Sequence, residues 1–299
     1  MTVIECKEVT KTLGGTKALD HFSCRIEGDK ITGLIGRNGA GKTTLLKLIA
    51  GYWRETAGSI EVFSERPFNN LLVSANVIFI QNEMDLPTAL NLKELLEVMA
   101  GFYQNWDRAL ADRLFEYFSF SPLQHYKGLS KGMKSTFNMI VGLSARAPLT
   151  IFDEPTTGMD AAVRDDFYRA LLKDYIAHPR SIILSSHHLD EIEDLLEDIL
   201  LIKQGQELLH LPMSDVKEWA VALEGKASLV QEWIQNREVL YTKSTGFHQY
   251  AAVRNDFTEA ELQQLRLEGV RISPVKASDL CIYLTRDSEG GIDDVFNKG

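Results

Sequence analysis

The segment LIGRNGAGKTT, residues 34–44, constrains the fold of this chain more than any other stretch. It contains the pattern G-x-x-x-x-G-K-T, follows the apolar run ITGLI and precedes the helical pattern TTLLKLIAG. Between a strand and a helix, such a loop points its backbone N–H groups and the positive end of the helix dipole at a phosphate. The segment therefore predicts a nucleotide-binding α/β protein. Its phosphate-loop residues are Gly36, Arg37, Asn38, Gly39, Ala40, Gly41, Lys42, Thr43 and Thr44.

Two side chains of this loop carry specific chemistry. Lys42 is expected to place a positive charge on the β- and γ-phosphates, and the hydroxyl of Thr43 is expected to ligate Mg²⁺. The alternative is a glycine-rich turn that matches the pattern by chance. We reject it because a strand, a helix and an acidic strand end accompany the loop.

Four short apolar runs predict the strands of a parallel sheet that is buried on both faces, because helical stretches separate them. They are ITGLI (31–35), VIFI (77–80), LTIF (149–152) and SIIL (181–184).

Polar residues follow three of these predicted strands. Gln81 comes after the second strand, Asp153 and Glu154 after the third, and His187 and His188 after SIILSS. Ligands of open α/β sheets bind beyond the carboxyl ends of the strands. We therefore expect these residues to surround one nucleotide crevice.

Asp153 and Glu154 receive different predicted roles. Asp153 ends a buried strand, where an unpaired carboxylate would be costly, so we expect it to orient Mg²⁺ through a bound water. Glu154 points in another direction and is expected to polarise the attacking water. The alternative, two solvated carboxylates in a loop, fits poorly with the phosphate loop upstream.

The rest of the chain predicts two further parts. Residues 88–128 carry two helical patterns without a strand between them, which indicates an inserted all-helical subdomain at about 84–146. After residue 212 the patterns predict the order β-α-β-β-α-β, typical of a ferredoxin-like fold. The expected domains are 1–212 and an accessory α+β domain at 213–299, whose last residues, 287–299, are expected to fray.

Composition excludes several protein classes. A net charge of −10 argues against general attraction to nucleic acid. The cysteines Cys6, Cys24 and Cys281 are scattered and odd in number, which indicates packing roles in a reducing compartment. The amino terminus lacks the pattern of a signal peptide, and the longest apolar runs are far shorter than the ~18 residues of a membrane span.

Across residues 2–212 the chain resembles the ATP-binding subunits of ABC transporters. The matching motifs occur in the family's order: the phosphate loop 36–44, Gln81 as the Q-loop, LSKGM (129–133) as the signature, LTIFDE (149–154) as the Walker B strand, TTGMD (156–160) as the D-loop and His187 as the switch histidine. His187 is preferred over His188 because the family pattern places an acid four residues after the histidine, where this chain has Glu191.

The resemblance implies a mechanism. Two such subunits pack head to tail and sandwich each ATP between the phosphate loop of one chain and the signature of the other, where the Ser130 hydroxyl and the Gly132 N–H face the γ-phosphate. Asp160 contacts nucleotide in the same arrangement. The resemblance also implies Thr43, Gln81 and Asp153 as Mg²⁺ ligands. It assigns catalytic roles to Glu154, His187 and Gln81.

Three residues depart from the usual family motifs. In the signature, usually L-S-G-G-Q, Lys131 replaces a glycine and Met133 replaces the glutamine. Lys131 either adds charge near the γ-phosphate or faces solvent, and the sequence slightly favours solvent. Leu13 stands where the family has an aromatic residue that stacks on adenine, so we expect looser base selectivity.

Other classes of nucleotide-binding protein fit less well. The chain shows no long coiled coil, as in DNA-repair members of the family, no second motif set, as in translation factors, and no suitably placed N-K-x-D motif, as in GTPases. SPVKASDLCIYLT, in the tail, resembles exporter ATPases of the bacitracin-resistance and YtrB-like type.

The resemblance therefore implies an ATP-hydrolysing exporter subunit, in the cytoplasm and peripheral on the inner face of the cell membrane. Its implied partners are a second ATPase subunit and a transmembrane permease, with no nucleic acid. The alternative that remains is a soluble ABC-type regulator or sensor that uses ATP only to dimerise.

Overall fold

The computed structural model describes residues 1–286, and the predicted fraying of 287–299 lies outside the described residues. The chain divides into two compact units, the first from Met1 to Met213 and the second from Ser214 onward. The boundary expected from the sequence lies one residue earlier.

The first unit contains the following helices and strands: β1 Thr2–Leu13, β2 Thr16–Glu27, β3 Ile31–Ile35, α1 Lys42–Ile49, β4 Ala57–Val62, α2 Leu71–Asn76, β5 Val77–Ile80, α3 Leu92–Phe102, α4 Arg108–Tyr117, α5 Lys131–Ala145, β6 Leu149–Asp153, α6 Ala161–Ala177, β7 Ser181–Ser186, β8 Asp198–Lys203 and β9 Gln206–Pro212.

A six-stranded sheet forms the centre of this unit, in the order β5-β6-β7-β3-β8-β9. The first five strands are parallel, and β9 pairs with β8 in the antiparallel sense. All four strands predicted from apolar runs are present, and every residue of β3, β5, β6 and β7 is buried. Burial on both faces explains why these sequences are continuously apolar rather than alternating.

A second sheet, with the order β2-β1-β4, is antiparallel and was not predicted. Shifts of register interrupt the pairing of β1 with β2, and Glu8 and His21 adopt positive φ angles there, which obscures a simple alternating pattern. Cys6 and Cys24 lie directly opposite each other in this pair, and both are buried and free. The predicted packing role fits them.

The helical insertion lies between β5 and β6, as predicted. A capping box of Asn91 and Glu94 begins α3, and the side chain of Asp107 caps α4. The last helix, α5, is buried from Ser135 to Ala145 and packs on the central sheet. At Gly142 an added Cβ would lie 2.5 Å from the ring of Phe152 in β6, so only glycine permits this close packing.

The second unit contains α7 Met213–Glu218, which starts at the boundary, β10 Ala220–Lys226, α8 Ala227–Ile234, β11 Val239–Thr245, β12 His248–Arg254, α9 Glu259–Leu267, β13 Arg271–Pro274 and α10 Ala277–Thr285. Its sheet is antiparallel with the order β11-β12-β10-β13. This is the strand order of the predicted ferredoxin-like pattern, with α10 added. A capping box of Thr258 and Glu261 begins α9.

Candidate functional site

The phosphate loop connects β3 to α1, as its sequence context required. The residue before α1, Gly41, has a φ of 111°, and a Cβ at this position would lie 2.6 Å from the carbonyl oxygen of Ala18. Both the backbone conformation and the space therefore demand glycine. Gly39 also has a positive φ, 84°, but an added Cβ there would meet open space.

Lys42 is the first residue of α1, and its side chain turns back into the loop. The side chain is 6% exposed, and its ammonium donates a hydrogen bond to the carbonyl oxygen of Gly36 at 2.7 Å. The ammonium also lies 3.2 Å from Oε1 of Glu154. The structure thus brings together the predicted phosphate-binding cation and the predicted general base.

Asp153 is held by two hydroxyl groups. Thr43 donates to Oδ2 at 2.7 Å, and Ser185 at the end of β7 donates to Oδ1 at 2.5 Å. Ser185 Oγ also accepts a hydrogen bond from the backbone N–H of Glu154 at 3.0 Å. Ser185 was not among the predicted site residues, although the polar end of SIILSS was a signal for it.

Glu154 follows β6 with a φ of 50°, in the left-handed region that few residues other than glycine adopt. After this backbone turn the Glu154 carboxylate has other partners than Asp153 has. One oxygen, Oε2, lies 2.8 Å from Nδ1 of His187. The other, Oε1, is buried and accepts no hydrogen bond within residues 1–286, its contact being the ion pair with Lys42.

The rings of the two adjacent histidines are in contact, with centroids 3.9 Å apart and planes tilted by 47°. Of the two, His187 makes the contact with Glu154, in agreement with the choice made from the sequence. Glu191, the acid that guided that choice, instead binds Arg164 at 2.8 Å.

Gln81 follows β5, which pairs with β6 in the parallel sense. It therefore lies at the edge of the sheet where β6 also ends. The side-chain nitrogen Nδ2 of Asn138 donates a hydrogen bond to the backbone carbonyl oxygen of Gln81 at 2.9 Å. The same nitrogen lies 3.0 Å from the Tyr126 hydroxyl. Within the described part of the chain, no hydrogen bond joins the Gln81 side chain to Thr43 or Asp153. Its predicted role as a metal ligand stays a prediction.

The signature residues form a second group. Ser130 caps α5 by accepting a hydrogen bond from Met133 N at 3.3 Å. A Cβ on Gly132 would lie 2.3 Å from the carbonyl oxygen of Gly158, so the start of α5 packs directly on the D-loop. Asp160 caps α6 through Val163 N at 3.0 Å. Among residues 1–286, no hydrogen bond or ion pair joins this group to the phosphate loop.

Leu13 ends β1 and is 38% exposed, immediately before the turn at Gly14 and Gly15. Its exposure fits a position on the protein surface, but its predicted effect on base selectivity stays a prediction.

Comparison with known proteins identifies the family. A family profile described as ABC transporter matches residues 19–157. The bacitracin transport ATP-binding protein BcrA of Bacillus licheniformis is 30% identical over 223 residues, which cover 73% of this chain and 72% of BcrA. The chain belongs to the ABC transporter family. The ABC transporter ATP-binding protein YtrB of Bacillus subtilis is 27% identical over 222 residues, 74% of this chain and 76% of YtrB.

Solved structures show the same fold. An ATP-binding subunit of an ABC transporter superposes with a TM-score of 0.64 at 23% identity, over 72% of this chain and 92% of that one. A dimeric ATP-binding cassette bound to ADP and Pi gives a TM-score of 0.62 at 18% identity, over 70% and 98% of the two chains. The predicted P-loop ATPase fold and the predicted ABC family are confirmed, with YtrB and BcrA among the relatives. In this ABC chain, within residues 1–286, no helix has the length and apolar character that crossing a membrane requires.

Proposed function

We propose that this chain is the ATP-hydrolysing subunit of an ABC exporter, and that it dimerises around two Mg²⁺-ATP to drive a separate membrane subunit. The observation that carries the proposal is the environment of Glu154. Its carboxylate lies between Lys42 and His187, and its buried Oε1 accepts no hydrogen bond within residues 1–286. Such an oxygen is suited to accept a proton from a water molecule beside the terminal phosphate.

The residues present fit a magnesium ion. The Thr43 hydroxyl and the Asp153 carboxylate lie 2.7 Å apart, so two hard oxygen donors converge on one position. The described residues contain no group of three or more His, Cys, Asp or Glu side chains that could hold a metal alone. Mg²⁺ typically takes one or two protein oxygens and completes its shell with phosphate oxygens and water. Bound there, it would neutralise phosphate charge.

Each side chain then has a defined task. Lys42 binds the β- and γ-phosphates. Negative charge develops there during hydrolysis, and the Lys42 ammonium, which is already in place, stabilises it. Glu154 orients and polarises the attacking water. His187 keeps the carboxylate in position through Oε2, and the left-handed backbone at Glu154 fixes the direction of the side chain.

The separation of the two residue groups supports a dimer. Ser130 is exposed at the positive end of a 15-residue helix. This end, and the Gly132 N–H next to it, are suited to bind an anion. We infer that they bind the γ-phosphate held by the partner chain, together with Asp160 of the D-loop. ADP, which lacks that phosphate, would not bridge the two chains.

The relatives support the transport assignment. BcrA is named a bacitracin transport ATP-binding protein and YtrB an ABC transporter ATP-binding protein. By analogy, we propose that this chain works at the inner face of the cell membrane, bound to a transmembrane permease.

The dimer is tested by the variant Glu154→Gln, which keeps the shape of the side chain and removes the base. We expect it to bind Mg²⁺-ATP, to hydrolyse ATP at least about 10²-fold more slowly, and to accumulate as a dimer in solution. Analytical ultracentrifugation measures the mass against the 33.7 kDa chain. The exposed Glu197→Gln is the control with the same charge change, and should hydrolyse ATP normally.

A chain that stays monomeric with ATP, alone and with its membrane partner, would contradict the proposal. Isolation of the tagged chain from membranes then tests the permease. ATP-dependent dimerisation of the unmodified chain without hydrolysis and without any bound membrane protein would favour the regulator or sensor.

A further inference from the structure

Lys131 is the first residue of α5 and breaks a local rule of helix construction. A cation at the amino end of a helix opposes the helix dipole, and acidic residues are preferred there. The first turn of α5 contains no acidic residue. Residues that break local rules without a structural compensation tend to mark functional positions.

The aliphatic part of Lys131 is nevertheless well placed. A Cβ built on Gly158 would lie 3.1 Å from Cγ and 3.3 Å from Cδ of Lys131. Gly158 has a φ of 83°, so the D-loop turns there with a residue that leaves room for the lysine. The side chain is therefore supported by the D-loop up to Cδ, and only its charged end extends beyond this contact.

Within residues 1–286, no acidic side chain neutralises the charge of Lys131. Lys131 is exposed, and no ion pair or hydrogen bond involves its ammonium within residues 1–286. Lys134, one turn further along α5, provides a contrast. Its ammonium lies 3.5 Å from Oε1 of Glu83 and 5.6 Å from the centre of the Tyr126 ring.

We propose that Lys131 binds the γ-phosphate of the ATP held by the partner chain. This inference rests on the proposed dimer, in which Ser130 and Gly132 face that phosphate, because Lys131 lies between them on the same helix end. Each terminal phosphate is then contacted by two lysines, Lys42 of one chain and the partner subunit's Lys131. The residue makes dimerisation more selective for ATP over ADP and more sensitive to salt.

The test compares charge and shape at this position in the Glu154→Gln background. Lys131→Met keeps the aliphatic stem against Gly158 but removes the charge, whereas Lys131→Arg keeps a charge. We expect the methionine variant to weaken ATP-dependent dimerisation at least about tenfold, which is the effect of losing one charge-assisted hydrogen bond. The arginine variant should retain most of the affinity.

Three measurements show whether loss of the Lys131 charge causes the weaker dimerisation. Dimer affinity is measured by analytical ultracentrifugation at low and high salt, and the salt dependence should fall in Lys131→Met. Binding of a fluorescent ATP analogue to the monomer should not change, because Lys131 serves the other chain. Lys134→Met is the matched control on the same helix and should change dimer affinity by less than about threefold.

The outcomes separate the two proposals. If Glu154→Gln forms no dimer with ATP, the proposed function is wrong, and the role of Lys131, which rests on it, is wrong as well. If it dimerises and Lys131→Met dimerises equally well with the same salt dependence, the role of Lys131 is wrong while the proposed function stands. Equal weakening by the methionine and arginine variants would also overturn the role, because it would show that shape matters rather than charge.

Discussion

At the scale of single residues, the site depends on a strained glutamate. Glu154 adopts a left-handed backbone conformation, a conformation that costs on the order of 1–3 kcal/mol outside glycine. The surrounding contacts offset this cost: Thr157 Oγ1 donates to the Glu154 carbonyl oxygen at 2.9 Å, and Ser185 Oγ accepts from its N–H. With this conformation the Glu154 carboxylate contacts Lys42 and His187, whereas the neighbouring Asp153 contacts Thr43 and Ser185.

The histidine pair offers a sharp test at this scale. His187→Ala removes the contact that orients Glu154, so we expect ATP turnover to fall about 10²-fold or more with ATP affinity nearly unchanged. His188→Ala removes the neighbouring tilted ring, which makes no contact with Glu154 in the described structure, and turnover should fall less than about threefold. Steady-state phosphate release measures both variants. Equal loss in the two would show that the contact between the two rings matters, and not the contact of His187 with Glu154.

At the scale of elements, a partly buried ion cluster joins three helices at their ends. Asp174 of α6 binds Arg146, which follows α5, and Arg180, which precedes β7, each at 2.8 Å. Arg146 also binds Asp107, the cap of α4, at 2.9 Å. Burial lowers the pKa of the Arg180 guanidinium, while Asp174 opposes that effect. The cluster attaches the helical insertion to the central sheet.

Removing the shared carboxylate should destabilise the first unit strongly. Asp174→Ala leaves two arginines without this partner, and breaking a buried pair costs about 3–5 kcal/mol. Asp166→Ala on the same helix is the control, because Asp166 is more exposed and should cost less than about 1 kcal/mol. Urea denaturation, monitored by circular dichroism, gives the midpoint of the unfolding transition of each variant. Similar midpoints for both variants would contradict a structural role of the cluster.

At the scale of the whole molecule, the residues of the proposed nucleotide site lie within the first unit. The contacts of Lys42, Thr43, Asp153 and Glu154 described above all involve residues before Met213. The second unit has its own sheet and its own apolar core, which includes Leu223, Val253 and Leu265. We propose that it is an accessory domain rather than a part of the nucleotide site.

A chain that ends at Met213 should therefore keep its nucleotide affinity. We expect the dissociation constant for a fluorescent ATP analogue to stay within about threefold of that of the full chain. The variant Lys42→Ala, made in the shortened chain, is the control and should bind at least about tenfold more weakly. A shortened chain that keeps its circular dichroism spectrum but no longer binds would place part of the site in the second unit.

Local patterns were sufficient to predict the fold that carries the proposed nucleotide site. The phosphate loop, the buried parallel strands and the residues at their carboxyl ends follow from short stretches, because parallel strands align their ends at one edge of the sheet. The patterns of residues 220–286 likewise predicted the helices and strands of the second unit.

Tertiary structure decided the features that join distant parts of the chain. Thr43 meets Asp153 across 110 residues, and Ser185 supports the same carboxylate from another strand. The antiparallel sheet of β1, β2 and β4, and the packing of Lys131 on Gly158, had no local signal. The sequence by itself determined which chemical groups the protein uses, since these depend on neighbouring residues. Only folding determined which groups meet, because pairing and packing join segments whose separation no short pattern records.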